Sequence, residues 1–217
     1  MNFLQLCQEV NTYMGFQGSV TSVASVTGYQ LRLIQEVKKS WIDIQTERPD
    51  WDFLRKVVDF NVTAGTEEYS LETIFGTADH DFGVWETESI LYNYNPLKYI
   101  NYDTFLTYDS SGNTGSTPDY YTIHPRTKSL IFNPLDTTYE INAGYFQTPQ
   151  ILTLDTDVPV VLPKHHWIIL YKAAMGLSTF VGNATLYQDA SFNYSKAWGN
   201  LMRDENPAKQ IIMRPLA

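Results

Sequence analysis

Two pairs of closely spaced carboxylates are the residues of this sequence best suited to chemistry. Glu67 and Glu68 are adjacent, and Glu86 and Glu88 are separated by one residue. Glycoside hydrolases use two carboxyl groups, one as acid and one as nucleophile or base. On one face of a strand, Glu86 and Glu88 would have Cα atoms about 6.6–6.8 Å apart. Nothing in the sequence indicates a cleft around them, so a carbohydrate-binding or glycan-hydrolysing module is kept only as an alternative.

Histidine and cysteine offer weaker candidates. The Asp79-His80-Asp81 triplet lacks a further ligand at a useful spacing, and a turn explains it better than a metal site. His165 and His166 follow Pro163 and point in different directions on a helix, so they cannot chelate one ion. We expect them to form a partly exposed helix start, with a pH-sensitive interface as the alternative. Cys7 falls at a core position and is interpreted as a packing residue.

Composition narrows the class of protein. The 217 residues are 43% hydrophobic and 18% charged, which predicts a folded chain with a sizeable core. One cysteine excludes a disulfide scaffold and a thiolate zinc site. There is no basic region typical of a secretory signal and no apolar run of the ~20 residues that span a membrane. Nucleophile-elbow, P-loop, dinucleotide-binding and zinc-protease motifs are absent, so we expect no enzyme, no cofactor and no metal.

The negative charge is concentrated in one segment. The formal net charge is −9, and residues 43–88 hold 12 acidic side chains against three basic ones. The remaining chain is neutral. This balance argues against a protein that binds nucleic acid by neutralising phosphates. The acidic segment is either an ordinary solvated surface or a surface that repels a polyanion or binds a basic partner.

Apolar residues at helical spacing occur near both ends of the chain. The predicted helices cover residues 2–14, 27–48, 163–181 and 184–205. Asn2 with Gln5, and Thr27 with Gln30, have the spacing of capping boxes. The predicted core stripe of the third helix consists of Trp167, Leu170, Ala174, Leu177 and Val181.

Between these helices the hydrophobic period changes to two, beginning with Val58, Phe60 and Val62. Further predicted strands cover residues 84–93, 97–102, 119–124, 129–133 and 138–147. Short turns separate them, which predicts an antiparallel sheet. The fold class is therefore α+β. Residues 1–54 and 163–205 form a helical bundle, 55–162 an inserted antiparallel β region with a flexible loop at 108–118, and 206–217 an extended C-terminal tail.

The order of many short segments resembles the head-to-tail adaptor, or connector, proteins of tailed bacteriophages, especially short-tailed ones. These segments are Phe3–Cys7, Trp41–Gln45, Arg48–Leu54, Thr63–Tyr69, Leu97–Phe105, Ile131–Pro134, Tyr145–Pro149, Asp155–Pro159 and Leu162-Pro163. The resemblance extends from about Phe3 to Asp204 and depends on their shared order, because no single segment is diagnostic.

The resemblance implies a non-catalytic virion protein that is made in the host cytoplasm and placed in the neck or tail. Such subunits form rings, typically of about 12 copies, through heterologous interfaces. The implied partners are the portal protein, the tail tube or nozzle protein and further copies in a dodecameric ring, with genomic DNA passing through unbound and no membrane. Another neck or tail-tube component is the alternative within this class.

Two sets of residues acquire candidate roles in such a ring. Glu67, Glu68, Glu86 and Glu88 are candidates to line the DNA channel, because negative charge would keep phosphates from adhering. The C-terminal tail is apolar and mildly basic, and we expect either a disordered end or a segment that becomes ordered against the portal or a neighbouring subunit. Its candidate contact residues are Lys209, Ile211, Ile212, Met213, Arg214 and Leu216.

Overall fold

The computed structural model describes residues 1–24, 26–76, 81–109, 117–133 and 135–205. The chain divides into two compact units, one of Met1–Leu54 with Pro149–Ala217 and one of Arg55–Thr148. Helices from both chain ends build the first, called the helical unit, and two sheets dominate the second, called the β unit. The α+β fold class is confirmed.

Four helices form the helical unit, numbered here along the whole chain. They are α1 (Phe3–Tyr13), α2 (Gly28–Thr46), α5 (Trp167–Val181) and α6 (Ala184–Glu205). The Asn2 side chain caps α1 and Gln5 returns the bond, which confirms the first capping box. The second is wrong, because Thr27 makes no side-chain cap and Gln30 instead donates to the Ser19 carbonyl.

The predicted core stripe of α5 is buried except at its two ends. Trp41 is fully buried on α2, whereas Trp167 and Val181 at the ends of α5 are both 45% exposed. Where α5 approaches α2, a Cβ atom at Gly176 would overlap the Glu36 carboxylate, so the small residue permits close packing. Burial raises the pKa of the Cys7 thiol to about 12, in agreement with a packing role.

Residues 149–162 group with the helical unit, whereas the sequence placed them in the inserted β region. The reason is a set of backbone bonds to the start of α1. The N–H of Phe3 donates to the Asp157 carbonyl at 2.7 Å, and that of Leu4 donates to the Asp155 carbonyl at 3.2 Å. A short 3₁₀ turn, Pro163–His165, then leads into α5.

One sheet of the β unit is organised around its longest strand, β9. Its members are β1 (Arg55–Val62), β3 (Phe82–Trp85), β4 (Leu91–Tyr92), β5 (Asn95–Pro96) and β9 (Tyr139–Gln147). Strand β1 pairs with β9 along eight residues, and β3 and β4 also pair with β9. Ile141, Ala143 and Tyr145 are buried on one face of β9, as alternation predicted.

The other sheet contains shorter strands and one parallel pair. Its members are β2 (Glu68–Tyr69), β6 (Lys98–Tyr99), β7 (Tyr120–Ile123) and β8 (Leu130–Phe132). Strands β6 and β7 run parallel, so the prediction of a wholly antiparallel arrangement is wrong at this pair. The connection between them includes a helix, α4 (Tyr102–Asp109), which sequence periodicity missed together with α3 (Leu71–Phe75).

Local side-chain bonds explain two further differences from the predicted strands. The strand expected at 84–93 is interrupted because Ser89 bends back to the Glu86 carbonyl through its N–H and hydroxyl. The strand expected at 97–102 ends early because the Asn101 side chain accepts the Asp103 N–H at the start of α4. Helix α4 continues into the loop expected at 108–118, of which residues 110–116 lie outside the described residues.

Candidate interaction surfaces

A loop over residues 149–162, here called the clamped loop, is held by two aspartates. The Asp157 carboxylate accepts the N–H groups of Thr153 at 2.6 Å and Leu154 at 2.8 Å. These bonds hold the pKa of Asp157 below its usual range. The Asp155 carboxylate accepts the N–H of Val23 at 2.6 Å, which ties the loop to the segment between α1 and α2. Irregular backbone is thereby fixed without a strand or helix.

Glutamine side chains complete the clamp. The Gln150 side-chain oxygen accepts from the Val160 N–H at 3.0 Å and from the indole N–H of Trp41 at 3.2 Å. Its side-chain nitrogen donates to the Val158 carbonyl at 2.9 Å, and Gln45 binds the Gln150 backbone. The partly buried Gln150 therefore links residues 158 and 160 of the clamped loop to Trp41 and Gln45 of α2.

The clamped loop presents an unusual number of aliphatic side chains to solvent. Leu152 and Val161 are buried beneath it, while five others are between 41% and 64% exposed. We call these five the aliphatic surface: Ile151, Leu154, Val158, Val160 and Leu162. Single exposed apolar residues need no explanation, but a group on a rigid loop is typical of an interaction site.

A second candidate surface is a groove of about 440 Å³ between the start of α5 and the end of α6. We call it the basic groove, because Lys164, Lys196 and Arg203 line it with one carboxylate, Asp204. Lys164 and His165 both contact Asp204, and the bond from Lys164 chiefly lowers the pKa of Asp204. Among the described residues, Lys196 and Arg203 have no ion-pair partner. The Lys196 ammonium lies over the Phe192 ring, 4.1 Å from its centroid, so both cations keep an uncompensated positive charge that can meet an anionic group.

The four glutamates predicted to line the channel lie on two different elements of the β unit. Glu67 and Glu68 belong to the edge around β2, and Glu86 and Glu88 lie in the turn after β3. Glu67, Glu68 and Glu88 are exposed, whereas Glu86 is paired with Arg55 at 2.7 Å. The expectation that Glu86 and Glu88 share one strand face is wrong, since the strand ends at Trp85. The geometry assumed for a glycosidase pair is therefore not formed.

The two neighbouring histidines are buried, contrary to the expected partly exposed helix start. His165 is 5% exposed and its Nε2 lies 3.0 Å from Asp204, while His166 is fully buried with Nε2 3.1 Å from the Val161 carbonyl. Burial lowers the pKa of His166. The bonds anchor the helix start below the clamped loop.

The remaining candidates from the sequence form no site among the described residues or lie outside them. Asp81 binds Lys56 and the Tyr145 hydroxyl, while residues 79 and 80 lie outside the described residues. No group of three potential metal ligands occurs within the described part of the chain. None of the described helices combines the length and apolar character of a bilayer span. The predicted tail residues, 209–216, are also outside the described residues.

Sequence reasoning missed both surfaces, although each has a sequence signal. Asp155 and Asp157 interrupt a run of aliphatic residues, and aspartates at such positions typically bind the backbone of a loop. Asn193, Lys196 and Arg203 follow helical spacing along the polar side of α6. From the sequence alone these three residues look like a solvated helix face, because only the packing of α5 against α6 makes them line a groove.

The comparison with protein families agrees with the resemblance found in the sequence. The family model described as SU10 adaptor protein matches residues 1–214. A comparison with curated proteins finds no match. The matched range includes the helical unit, the β unit and most of the C-terminal tail. The chain therefore belongs to the SU10 adaptor protein family, a family of bacteriophage adaptor proteins.

Proposed function

We propose that the protein is a head-to-tail adaptor in the virion neck, made in the host cytoplasm and without catalytic activity. In this function, copies form a ring of about 12 beneath the portal protein, receive the tail tube or nozzle protein and leave a passage for DNA. Membership of the adaptor family supports the structural role.

The aliphatic surface is the observation that carries the proposal. Its five side chains belong to a loop fixed by Asp155, Asp157 and Gln150, so their exposure is built into the fold. A rigid apolar surface can bind a partner without first ordering a flexible segment, which reduces the entropic cost of assembly. Such a surface suits permanent assembly into a virion better than turnover of a small substrate.

The charge distribution supports a passage for DNA. Within the β unit, 13 acidic side chains stand against five basic ones. Glu67, Glu68 and Glu88 are exposed and have no ion-pair partner among the described residues. We propose that these three face the passage and repel phosphates. Glu86 is assigned a structural role instead, because it is bonded to Arg55 and lies against β9.

The proposal is tested by mixing the purified protein with portal rings of its phage and weighing the complexes by mass photometry. The wild-type protein should add a ring of subunits to each portal. The triple variant Ile151→Ser, Leu154→Ser and Val160→Ser should reduce the occupied fraction at least tenfold. Val57→Ser, which changes a 55% exposed aliphatic residue of the β unit, is the matched control.

Three outcomes of this assay contradict parts of the proposal. Failure of the wild-type chain to bind portal rings would favour another neck or tail-tube component. Full binding by the folded triple variant would show that the aliphatic surface is not the interface. Deletion of residues 207–217 tests the predicted tail contact in the same assay, and undiminished binding would refute it.

A further inference from the structure

The β4–β5 hairpin carries an exposed tyrosine in a backbone conformation that disfavours it. Two residues, Asn93 and Tyr94, connect the strands with φ of 46° and 63°. Positive φ at both positions is typical of a type I′ turn, in which asparagine suits the first position and glycine the second. A bulky residue is uncommon there, so turn chemistry alone does not explain Tyr94.

Tyr94 also gains nothing from packing within its own fold. It is 96% exposed, the most exposed large hydrophobic residue of the described chain. Beside it lie Asp59 and Glu140, which share with Tyr94 the lining of a shallow surface cavity. Asp59 is held by the Asn142 side chain at 2.6 Å, whereas Glu140 is exposed without an ion-pair partner among the described residues. We call this feature, an aromatic ring beside two carboxylates, the tyrosine tip.

The basic groove has the complementary chemistry. Trp167 is 45% exposed at one wall and lies 6.4 Å from Tyr171 in a stacked arrangement, which leaves an aromatic surface for another ring. Asn193 and Asn200 line the groove with amides that can bond a phenolic hydroxyl. Lys196 and Arg203, which have no ion-pair partner among the described residues, can meet the two carboxylates.

We propose that the tyrosine tip of one copy inserts into the basic groove of a second copy. The inference rests on the proposed ring and names the contact between neighbouring subunits. Tip and groove belong to different units of the chain, so a contact that uses one of each is heterologous and leaves the pair of copies with one free tip and one free groove. Such a contact continues from subunit to subunit until a ring closes.

Cysteine cross-linking on portal-bound rings provides the first test. Equal amounts of an Asn95→Cys chain, which keeps Tyr94 and places a thiol on its exposed neighbour, and an Asn200→Cys chain are assembled, oxidised and examined on a non-reducing gel. The native Cys7 is buried, so the introduced thiols should dominate the reaction. A mixed dimer is expected, while Val57→Cys with Asn200→Cys, the control pair from the same two units, should give none. Assembled rings that give no cross-link between positions 95 and 200, or as much with the control pair, would overturn the proposal.

Substitution by glycine provides the second test and separates assembly from folding. Tyr94→Gly places the residue that the turn prefers, so the thermal midpoint should be unchanged or higher. Neighbour contact should nevertheless weaken at least tenfold, measured as partly filled portal rings by mass photometry. Lys196→Glu with Arg203→Glu should have the same effect, and adding Asp59→Lys with Glu140→Lys to that variant should restore assembly.

The outcomes distinguish this contact from the proposed function. Complete rings from Tyr94→Gly chains would refute the tyrosine contact while leaving the adaptor function intact. A wild-type chain that never assembles on portal rings would refute both. Binding of a DNA oligonucleotide that is lost in the groove variant but kept in Tyr94→Gly would identify the groove as a nucleic-acid site and overturn the proposal.

Discussion

Replacing Asp157 with alanine tests whether hydrogen bonds hold the aliphatic surface in place. The carboxylate accepts two backbone N–H groups, from Thr153 and Leu154, at 2.6 and 2.8 Å. Hydrogen bonds to charged groups contribute about 1.5–3 kcal/mol when shielded, but solvent reaches this carboxylate, so about 1 kcal/mol each is expected. Asp157→Ala should therefore lower the free energy of unfolding by about 2 kcal/mol, and Asp157→Asn by roughly half as much.

Urea denaturation followed by tryptophan fluorescence measures this change. Four of the five tryptophans lie in the helical unit, so the signal reports mainly on the unit that contains Asp157. Glu9→Ala is the control, because Glu9 is an exposed carboxylate on α1 without an ion-pair partner among the described residues. The control should remain within about 0.5 kcal/mol of wild type. An unchanged midpoint for Asp157→Ala would refute the clamp.

The pH dependence gives an independent check on the same carboxylate. Backbone hydrogen bonds lower the pKa of Asp157 in the folded state. Its stabilising contribution is therefore complete above the unfolded pKa of about 3.9 and is lost as pH falls through the lower folded pKa. The difference between wild type and Asp157→Ala should accordingly be constant from pH 7 to about 5 and shrink below about pH 4. A difference that grows on acidification would contradict this assignment.

Two further substitutions test the buried parts of the units. Gly144→Ala should destabilise the β unit by about 1–3 kcal/mol, because a Cβ atom would overlap the Ser89 hydroxyl and lie 2.6 Å from a Glu86 carboxylate oxygen. Thermal unfolding measures this change, and an unchanged midpoint would contradict the close packing. His166→Gln should reduce the loss of stability between pH 7.5 and 5.5, because burial lowers the folded pKa of His166 and protonation near pH 6.5 therefore favours the unfolded chain. Urea titrations at both pH values measure this slope, and an equal slope in wild type and variant would exclude His166 as its source.

The sequence predicted elements whose side chains follow one period over several turns or pairs. Helix α1 combines apolar spacing with the Asn2 cap, and Ile141, Ala143 and Tyr145 alternate with less apolar residues along β9, so local and long-range preferences agree. The prediction failed where a single side chain redirects the backbone. Ser89 ends a strand and Asn101 begins a helix through bonds that leave no periodic signal.

The candidate surfaces were less predictable because they depend on elements distant in the sequence. Asp155 suggests a loop by its type, but its partner Val23 is 132 residues away. The carboxylate pairs drew attention because they are adjacent in sequence, yet Glu86 is committed to Arg55, 31 residues away. Tyr94 was equally hard to predict, since the dipeptide Asn93-Tyr94 has the asparagine but lacks the glycine of the asparagine–glycine signal of a tight hairpin.

The net negative charge of the chain belongs almost entirely to the β unit, and this affects how copies can assemble. The β unit holds 13 acidic and five basic side chains, whereas the rest of the chain holds 11 and ten. A ring of about 12 copies would thus gather nearly all of its roughly one hundred net negative charges in the β units. If these units met one another directly, repulsion would oppose closure of the ring. Contact between the acidic tip of one copy and the basic groove of the next avoids that repulsion, because each β unit then meets a helical unit. The same arrangement leaves Glu67, Glu68 and Glu88 uncompensated, as repulsion of passing DNA requires.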